Sequence, residues 1–212
     1  MKVETVVRQC GLQSAHLESL GQAVPLGYRA LQTLIRATPM LGQFVPGLKT
    51  VGYLRNLAVQ HALATQAATT ELFFTDTGFN KPGNHAFLKL HAQGVVITAH
   101  YAGARGSRAL RKSIARAELS ARNGDLFAVE SQVIDADVTL GHAYVQLMHG
   151  GLSTPVYAAL CIPNRDQRSY QLEPLLLDMA SPSDAQVEEV ADRLNDTIKR
   201  KTHETDEQRH AG

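Results

Sequence analysis

Cysteine and tryptophan are scarce in this sequence, which has two cysteines and no tryptophan. Cys10 and Cys161 lie far apart and in no motif, so the chain is not a disulfide-stabilised scaffold. We expect both to be reduced, buried thiols. A chain of 212 residues is long enough to bury a core without disulfides or metals, as one domain or as one domain with a small appendage.

Long apolar runs and a charge excess are also missing. No apolar stretch approaches the roughly 18–20 residues that span a bilayer, and the start, Met1 to Glu4, lacks the basic start and apolar run of a signal peptide. These features predict a cytoplasmic protein without a membrane partner. The formal net charge of +1 gives no global bias toward nucleic acid, so any such bias must be local.

The first 68 residues or so are predicted to be helical. Apolar spacing indicates one or two short helices broken near Gly11 and over 21–25, and then a stripe from Tyr28 to Ile35 that ends before Pro39. Residues 40–48 contain glycine and proline and predict a linker, which an alanine-rich helix follows.

The second zone, about 70–178, is predicted to consist mainly of strands. Its best-defined element is a hairpin over 85–101 that turns at Gln93-Gly94, because this register places apolar or aromatic residues of both strands on one face. The predicted pairs are Ala92 with Val95, Leu90 with Ile97, Leu88 with Ala99 and Ala86 with Tyr101. Further strands are predicted over 71–76, 133–148 with a bulge at Gly141, 156–162 and 169–177, with a turn at 163–166.

A C-terminal helix is predicted after a capping box formed by Ser183 and Gln186, and a polar, disordered tail from about 201. The sequence therefore predicts an α+β fold: a mainly antiparallel sheet of about five or six strands, a helical N-terminal region, one inserted basic helix and a C-terminal helix. The expected division is a helical region over 1–48, a core domain over 49–200 and a tail over 201–212.

The most conspicuous feature is a basic segment that follows a glycine-containing loop and is predicted to open a helix over about 108–122. Its cations and loop residues are the candidate anion-binding residues: Arg105, Gly106, Ser107, Arg108, Arg111, Lys112 and Arg116. Positive charge in the first turns of a helix is unfavourable by about 0.3–1 kcal/mol per residue, and an anion would reverse that cost. The apolar stripe of Leu110 and Ile114 predicts that the basic side faces outward, as a strip suited to a phosphate backbone.

The alternative interpretation of this segment is a solvated helix face whose arginines pair with acids such as Asp125, Glu130 or Glu173. The loop lacks the spacing of a Walker A motif. Because a helix on the sheet should cover the apolar face, we expect the basic strip and the histidines of the hairpin to lie on opposite sides.

Two further clusters contain residues that bind metals or transfer protons. His85, His91 and His100 share the polar face of the predicted hairpin, and His142 joins them if its strand is adjacent. Histidines alone do not make a zinc site, and a half-exposed polar face is the simpler interpretation. Asp135 and Asp137 point the same way on one strand and form a weak candidate Mg²⁺ site, or a solvent-facing strand start.

The sequence therefore favours three functions, in this order. The first is a binding protein that contacts DNA, RNA or another polyanion through the basic loop and helix. The second is a protein-interaction module, such as an assembly factor or inhibitor, with a protein partner or a second copy. The third is a metal-dependent enzyme acting on phosphate groups; no complete catalytic constellation and no nucleophile elbow is readable, so no catalytic residue and no cofactor is assigned.

Overall fold

The fold is described from a computed structural model. It covers residues 2–38, 41, 45–80, 86–103, 110, 113–124, 143–167 and 169–210, with the backbone alone for 45–49, 122, 124 and 200–210. Within these ranges the chain forms five α-helices and a short 3₁₀ helix over Ala121–Gly124. The helices are α1 (Val3–Gln9), α2 (Ser14–Ala37), α3 (Val45–Thr70), α4 (Ile114–Ser120) and α5 (Asp184–His210).

Six strands form one sheet in the order β1-β2-β3-β4-β5-β6. They are β1 (Phe74–Phe79), β2 (Ala86–Ala92), β3 (Val95–Tyr101), β4 (Ala143–Gly151), β5 (Pro155–Cys161) and β6 (Leu175–Leu176). Every neighbouring pair is antiparallel except β3 and β4, which run parallel. Parallel neighbours need a crossover connection, and residues 102–142, which include α4, provide it. The predicted α+β class, with its inserted and terminal helices, is confirmed.

The predicted hairpin has the expected register. Leu90 pairs with Ile97 and Ala92 pairs with Val95, around the turn at Gln93-Gly94. Gln93 has a φ of 46°, so this residue supplies the left-handed backbone of the turn. The period-two alternation of side chains was sufficient to identify this register, because a slip of one residue would have turned the apolar set to the other face.

One face of the sheet carries the main core. Alternate strand residues such as Ile97, Val145 and Leu160 pack there against buried side chains of α1, α2, α3 and α5. This core joins the region predicted over 1–48 to the region predicted over 49–200. No helix in the described part of the chain combines the length and the apolar character that crossing a membrane requires.

The opposite face is covered in part by α4. Leu119 of α4 packs with Val96 and Tyr144, and a second cluster contains Met148 and Cys161. Both cysteines are buried and free, as expected. The expectation that the inserted helix would cover the strongly apolar face is wrong, because the helices of the N-terminal region and α5 already occupy it.

Helix α2 does not break over 21–25, contrary to the sequence-based expectation. It continues through Gly21 and Pro25, and residues on both sides of the proline are buried. A proline inside a helix costs roughly 3 kcal/mol, so burial of the helix against α3 and the sheet offsets a local preference. Similarly, α3 begins at Val45 and includes the last four residues of the stretch predicted as a linker over 40–48.

The ends of other elements also differ from the predictions. Strand β1 begins at Phe74, and the strand predicted over 169–177 is reduced to β6 and an isolated bridge between Pro163 and Tyr170. The predicted bulge at Gly141 lies outside the described residues. Ser183 and Gln186 form the predicted capping box, but α5 continues to His210, where a disordered tail was expected from 201.

Candidate functional site

The basic segment follows the end of β3 in the chain and precedes α4. Arg105, Gly106, Ser107, Arg108, Arg111 and Lys112 lie outside the described residues. The structure does describe the points on either side of them. The amide of Ala102 donates to the carbonyl of His149 over 2.9 Å, and Ser113 exchanges two hydrogen bonds of 3.1 Å with the side chain of Gln167.

The helix after the segment begins at Ile114, so the expected start at residue 108 is wrong. Leu110 is not helical, and Ser113 has extended backbone angles. The amide of Gln167 holds Ser113 in that conformation through both its donor and its acceptor, and the helix starts at the next residue. The predicted helix over 108–122 is therefore interrupted at Leu110 and Ser113, and Arg108, Arg111 and Lys112 lie outside the described residues.

The predicted apolar stripe of this helix is also wrong in part. Ile114 is 57 % exposed, whereas Leu119 is buried. The start at Ile114 places Leu119 and Ser120 toward the sheet. Leu110 is not helical, and it packs on the cluster of Met148 and Cys161.

Arg116 is the one candidate cation that the described residues include. It is half-buried on the face of the sheet that carries Tyr144 and Tyr170. Burial lowers the pKa of its guanidinium, and the two nearby phenols act in the opposite direction. Arg116 therefore faces the sheet and does not belong to an outward-facing strip.

The same face carries a hydrogen-bonded network around His100. Thr98 Oγ1 lies 2.6 Å from His100 Nε2 and 2.8 Å from the hydroxyl of Tyr144. Burial, together with the charge of Arg116 and the neighbouring His149, lowers the pKa of His100 to about 3. The basic helix and this histidine are therefore on one side of the sheet, and the expectation of opposite sides is wrong.

A second buried network lies on the helix-covered face, at the ends of β3 and β4. The ring of His149 is fully buried, with Nδ1 at 3.3 Å from the hydroxyl of Tyr28 and Nε2 at 3.2 Å from Asn56 Oδ1. Because Asn56 Oδ1 can only accept, Nε2 carries the proton and Nδ1 accepts from Tyr28. Burial lowers the pKa of His149 to about 3.

The border of this network carries a further cation. The guanidinium of Arg55 lies 5.6 Å from the ring centre of Tyr101, and its Nε donates to the carbonyl of Leu152 over 2.7 Å. The hydroxyl of Tyr101 donates to the carbonyl of Gly151. Arg55 and His149 were not identified from the sequence. A signal was present for His149, because it continues the apolar phase of Ala143, Val145 and Leu147.

The buried histidines His100 and His149 are expected to make the free energy of unfolding fall as the pH is lowered. Each pKa is far below the value of about 6.5 expected in the unfolded chain, so the unfolded state binds protons first as the pH falls below 6.5. His149 alone is expected to lower the free energy of unfolding by about 1.4 kcal/mol per pH unit between roughly pH 6 and 4. Urea titrations at several pH values should show a shallower dependence in His149→Gln by this amount. An equal slope in both proteins would contradict the assignment.

The structure describes the other candidate clusters, the histidines of the hairpin and the aspartate pair, only in part. His91 lies 4.0 Å from Asp76, which also pairs with Lys89. His85, His142, Asp135 and Asp137 lie outside the described residues, so the proposed metal-dependent chemistry stays a prediction. Among the residues that the structure does describe, no three histidine, cysteine or acidic side chains are placed to hold a metal ion.

No protein-family model matches the chain, and neither the curated proteins nor the solved structures gave a match.

Proposed function

We propose that the chain binds nucleic acid or another polyanion through the segment from Arg105 to Lys112, to which Arg116 adds positive charge. Residues 104–112 contain four cations, Arg105, Arg108, Arg111 and Lys112, and no acidic residue. Phosphate backbones are bound mainly by such clusters of arginine and lysine. The charge is local, since the chain as a whole is nearly neutral.

The observation that best supports this proposal is the attachment of the segment at both ends. Ala102 is bonded to β4 through His149, and Ser113 is bonded to Gln167 in the turn after β5. A segment with both ends held by the sheet loses less conformational entropy on binding than a free basic tail does. Ala102 and Gln167 lie toward opposite ends of the strands, so the two ends of the segment have separate fixed positions on the sheet.

Two described arginines add positive charge close to these ends. Arg55 lies beside Tyr101, immediately before Ala102, and Arg116 lies three residues after Ser113. The partial burial of Arg116 strengthens its interaction with a neighbouring anion, because the local dielectric is lower than that of water. We infer that Arg55 and Arg116 contribute to the potential while the segment itself makes the contacts.

The proposal predicts a loss of polyanion binding when two cations of the segment are reversed. The double variant Arg108→Glu, Lys112→Glu is expected to lose salt-sensitive retention on a heparin or single-stranded DNA column. In solution, the slope of log K against log salt should fall by roughly one unit per phosphate contact removed.

The matched control changes the same charge elsewhere. Arg36 and Lys199 are exposed cations outside the segment, and Arg36→Glu, Lys199→Glu should elute close to the wild type. Equal losses in the two double variants would show that net charge alone governs retention. Full retention after the change of Arg108 and Lys112 would refute the proposal.

A protein-interaction role is the second candidate. Phe74 and Phe79 are 72 % and 61 % exposed on β1, the outermost strand at one end of the described sheet. Exposed aromatic residues on such a strand are typical of surfaces that bind another chain. A change of molecular mass on Phe74→Ser, Phe79→Ser, measured by light scattering, would identify a second copy as the partner.

A further inference from the structure

A groove of about 470 Å³ lies at the other end of the sheet, far from β1 in the strand order. Side chains of α1 and of the first part of α2 form one wall, and β6 with the residues after it forms the other. Its volume is within the range of sites that hold small ligands or a few residues of a peptide. All the residues that line it belong to the described part of the chain.

Strand β6 presents unused backbone groups to this groove. Its two residues pair with Ala159 and Leu160 of β5, and the amide of Leu177 donates to the carbonyl of Ala158 over 2.9 Å. In an antiparallel pair the bonded positions alternate, so the N–H and C=O groups of Leu175 and Leu177 face β5. The N–H and C=O of Leu176 therefore point away from β5, and among the described strands none flanks β6 on that side.

The groove is apolar at its base and acidic at its border. Leu17 and Leu175 are partly buried against the core, whereas Leu176, whose side chain alternates to the other face of the strand, is 72 % exposed. An apolar side chain this exposed on an outermost strand is available to a binding partner. The apolar surface that the groove offers to a partner therefore belongs to residues that are only partly buried in the core or exposed.

The charged groups of the groove are three carboxylates, those of Glu4, Glu18 and Asp178, and one guanidinium, that of Arg8. Arg8 is held by Glu4 Oε1 at 3.0 Å. Glu18 accepts from Gln22 over 3.1 Å. The groove thus has an excess of negative charge and repels the polyanions that the basic segment attracts.

We propose that this groove binds an extended peptide segment of a partner protein, in which an apolar side chain is flanked by lysine or arginine. The segment adds to β6 as a further strand and bonds to the N–H and C=O of Leu176. Strand addition at a sheet edge obtains affinity from main-chain bonds and specificity from alternate side chains. The apolar side chain lies opposite Leu176 and packs on it, and the flanking side chains, which alternate to the other face, place their cations near Glu18 and Asp178.

The test uses a fluorescently labelled heptapeptide that alternates lysine with valine or leucine, followed by polarisation with the full chain. We expect binding that weakens with salt and that is at least about tenfold weaker for a peptide with glutamate in place of lysine. N-methylation of the central leucine should weaken binding as well, because it removes a main-chain donor. Equal affinity of the N-methylated peptide would overturn strand addition.

Variants of the chain locate the binding. The double variant Glu18→Gln, Asp178→Asn is expected to lower the affinity for the lysine peptide by about tenfold. The control Glu188→Gln, Asp192→Asn removes two exposed carboxylates of α5 and should leave this affinity unchanged. Equal losses in both double variants, or no discrimination between the two peptides, would overturn the proposal. A change of molecular mass in the first variant would show instead that a second copy occupies the groove.

The double variant Arg108→Glu, Lys112→Glu should bind the peptide normally, so this result is independent of the polyanion proposal.

Discussion

Asn123→Ala is expected to lower the free energy of unfolding by about 3–4 kcal/mol. Asn123 is fully buried, and its side chain joins the 3₁₀ helix to the sheet at three points. Nδ2 donates to the carbonyls of Tyr144 and Pro163 over 2.9 and 3.1 Å, and Oδ1 accepts from the amide of Tyr144 over 2.8 Å. A buried backbone group that loses its partner costs roughly 1–3 kcal/mol.

Denaturant unfolding monitored by circular dichroism measures this loss. Asn123→Asp tests the mechanism, because aspartate still accepts from the Tyr144 amide but cannot donate to the two carbonyls and is expected to destabilise at least as much. Asn164→Ala is the control, since Asn164 makes an exposed bond to Ser169 and should change stability by less than about 1 kcal/mol. A loss below about 1 kcal/mol in Asn123→Ala would contradict the role assigned to this side chain.

Gly27→Ala is expected to destabilise the chain by about 2–3 kcal/mol, although alanine is the better helix former. Gly27 lies where α2 crosses α3, and a Cβ atom there would be 2.7 Å from the backbone N and Cα of Val59. Both partners are helix backbone, so no side-chain rotation can relieve the contact. The two helices must separate, and they lose packing along the whole interface.

Gly52→Ala is the matched control. Gly52 is a glycine of α3, and apart from its own helix backbone no described atom lies within 4 Å of a Cβ placed on it. Here the substitution is expected to stabilise the chain by about 0.5–1 kcal/mol, because alanine reduces the entropy of the unfolded state. Thermal unfolding of the two variants should therefore shift in opposite directions. A stabilising effect of Gly27→Ala would show that α2 and α3 are not in close contact at this point.

The sequence proposed the basic segment as the candidate site, and its prediction of the geometry around that segment was wrong. Runs of arginine and lysine are visible without a structure. The start of α4 is not visible, because it depends on a pair of hydrogen bonds between Ser113 and Gln167, 54 residues apart in the chain. For the same reason the sequence did not show that Arg116 faces Tyr144 or that it shares a side of the sheet with His100.

The buried networks were missed for a related reason. His149 interacts with Tyr28 of α2 and with Asn56 of α3, and these three residues come together when both helices pack on β4. A histidine in the apolar phase of a strand indicates a buried polar group that needs partners. The alternation of residues does not identify the partners, because they come from distant segments.

The sequence by itself determined the features that depend on neighbours in the chain. These are the hairpin at Gln93-Gly94, the capping box of Ser183 and Gln186, and the α+β class. In each of them the interacting residues lie within a few positions, or the period of the side chains identifies the buried face. Where these local signals agree with the tertiary fold, they are sufficient to predict the element from the sequence.

Tertiary structure decided the features in which long-range packing opposes or outweighs a local preference. It decided the continuity of α2 through Pro25, the parallel pairing of β3 with β4 and the side of the sheet that α4 covers. Burial of α2 outweighs a local cost of roughly 3 kcal/mol, and the main core face was already occupied by the other helices. The basic segment stays the proposed binding surface, and the proposal depends on the two points at which the described residues fix its ends.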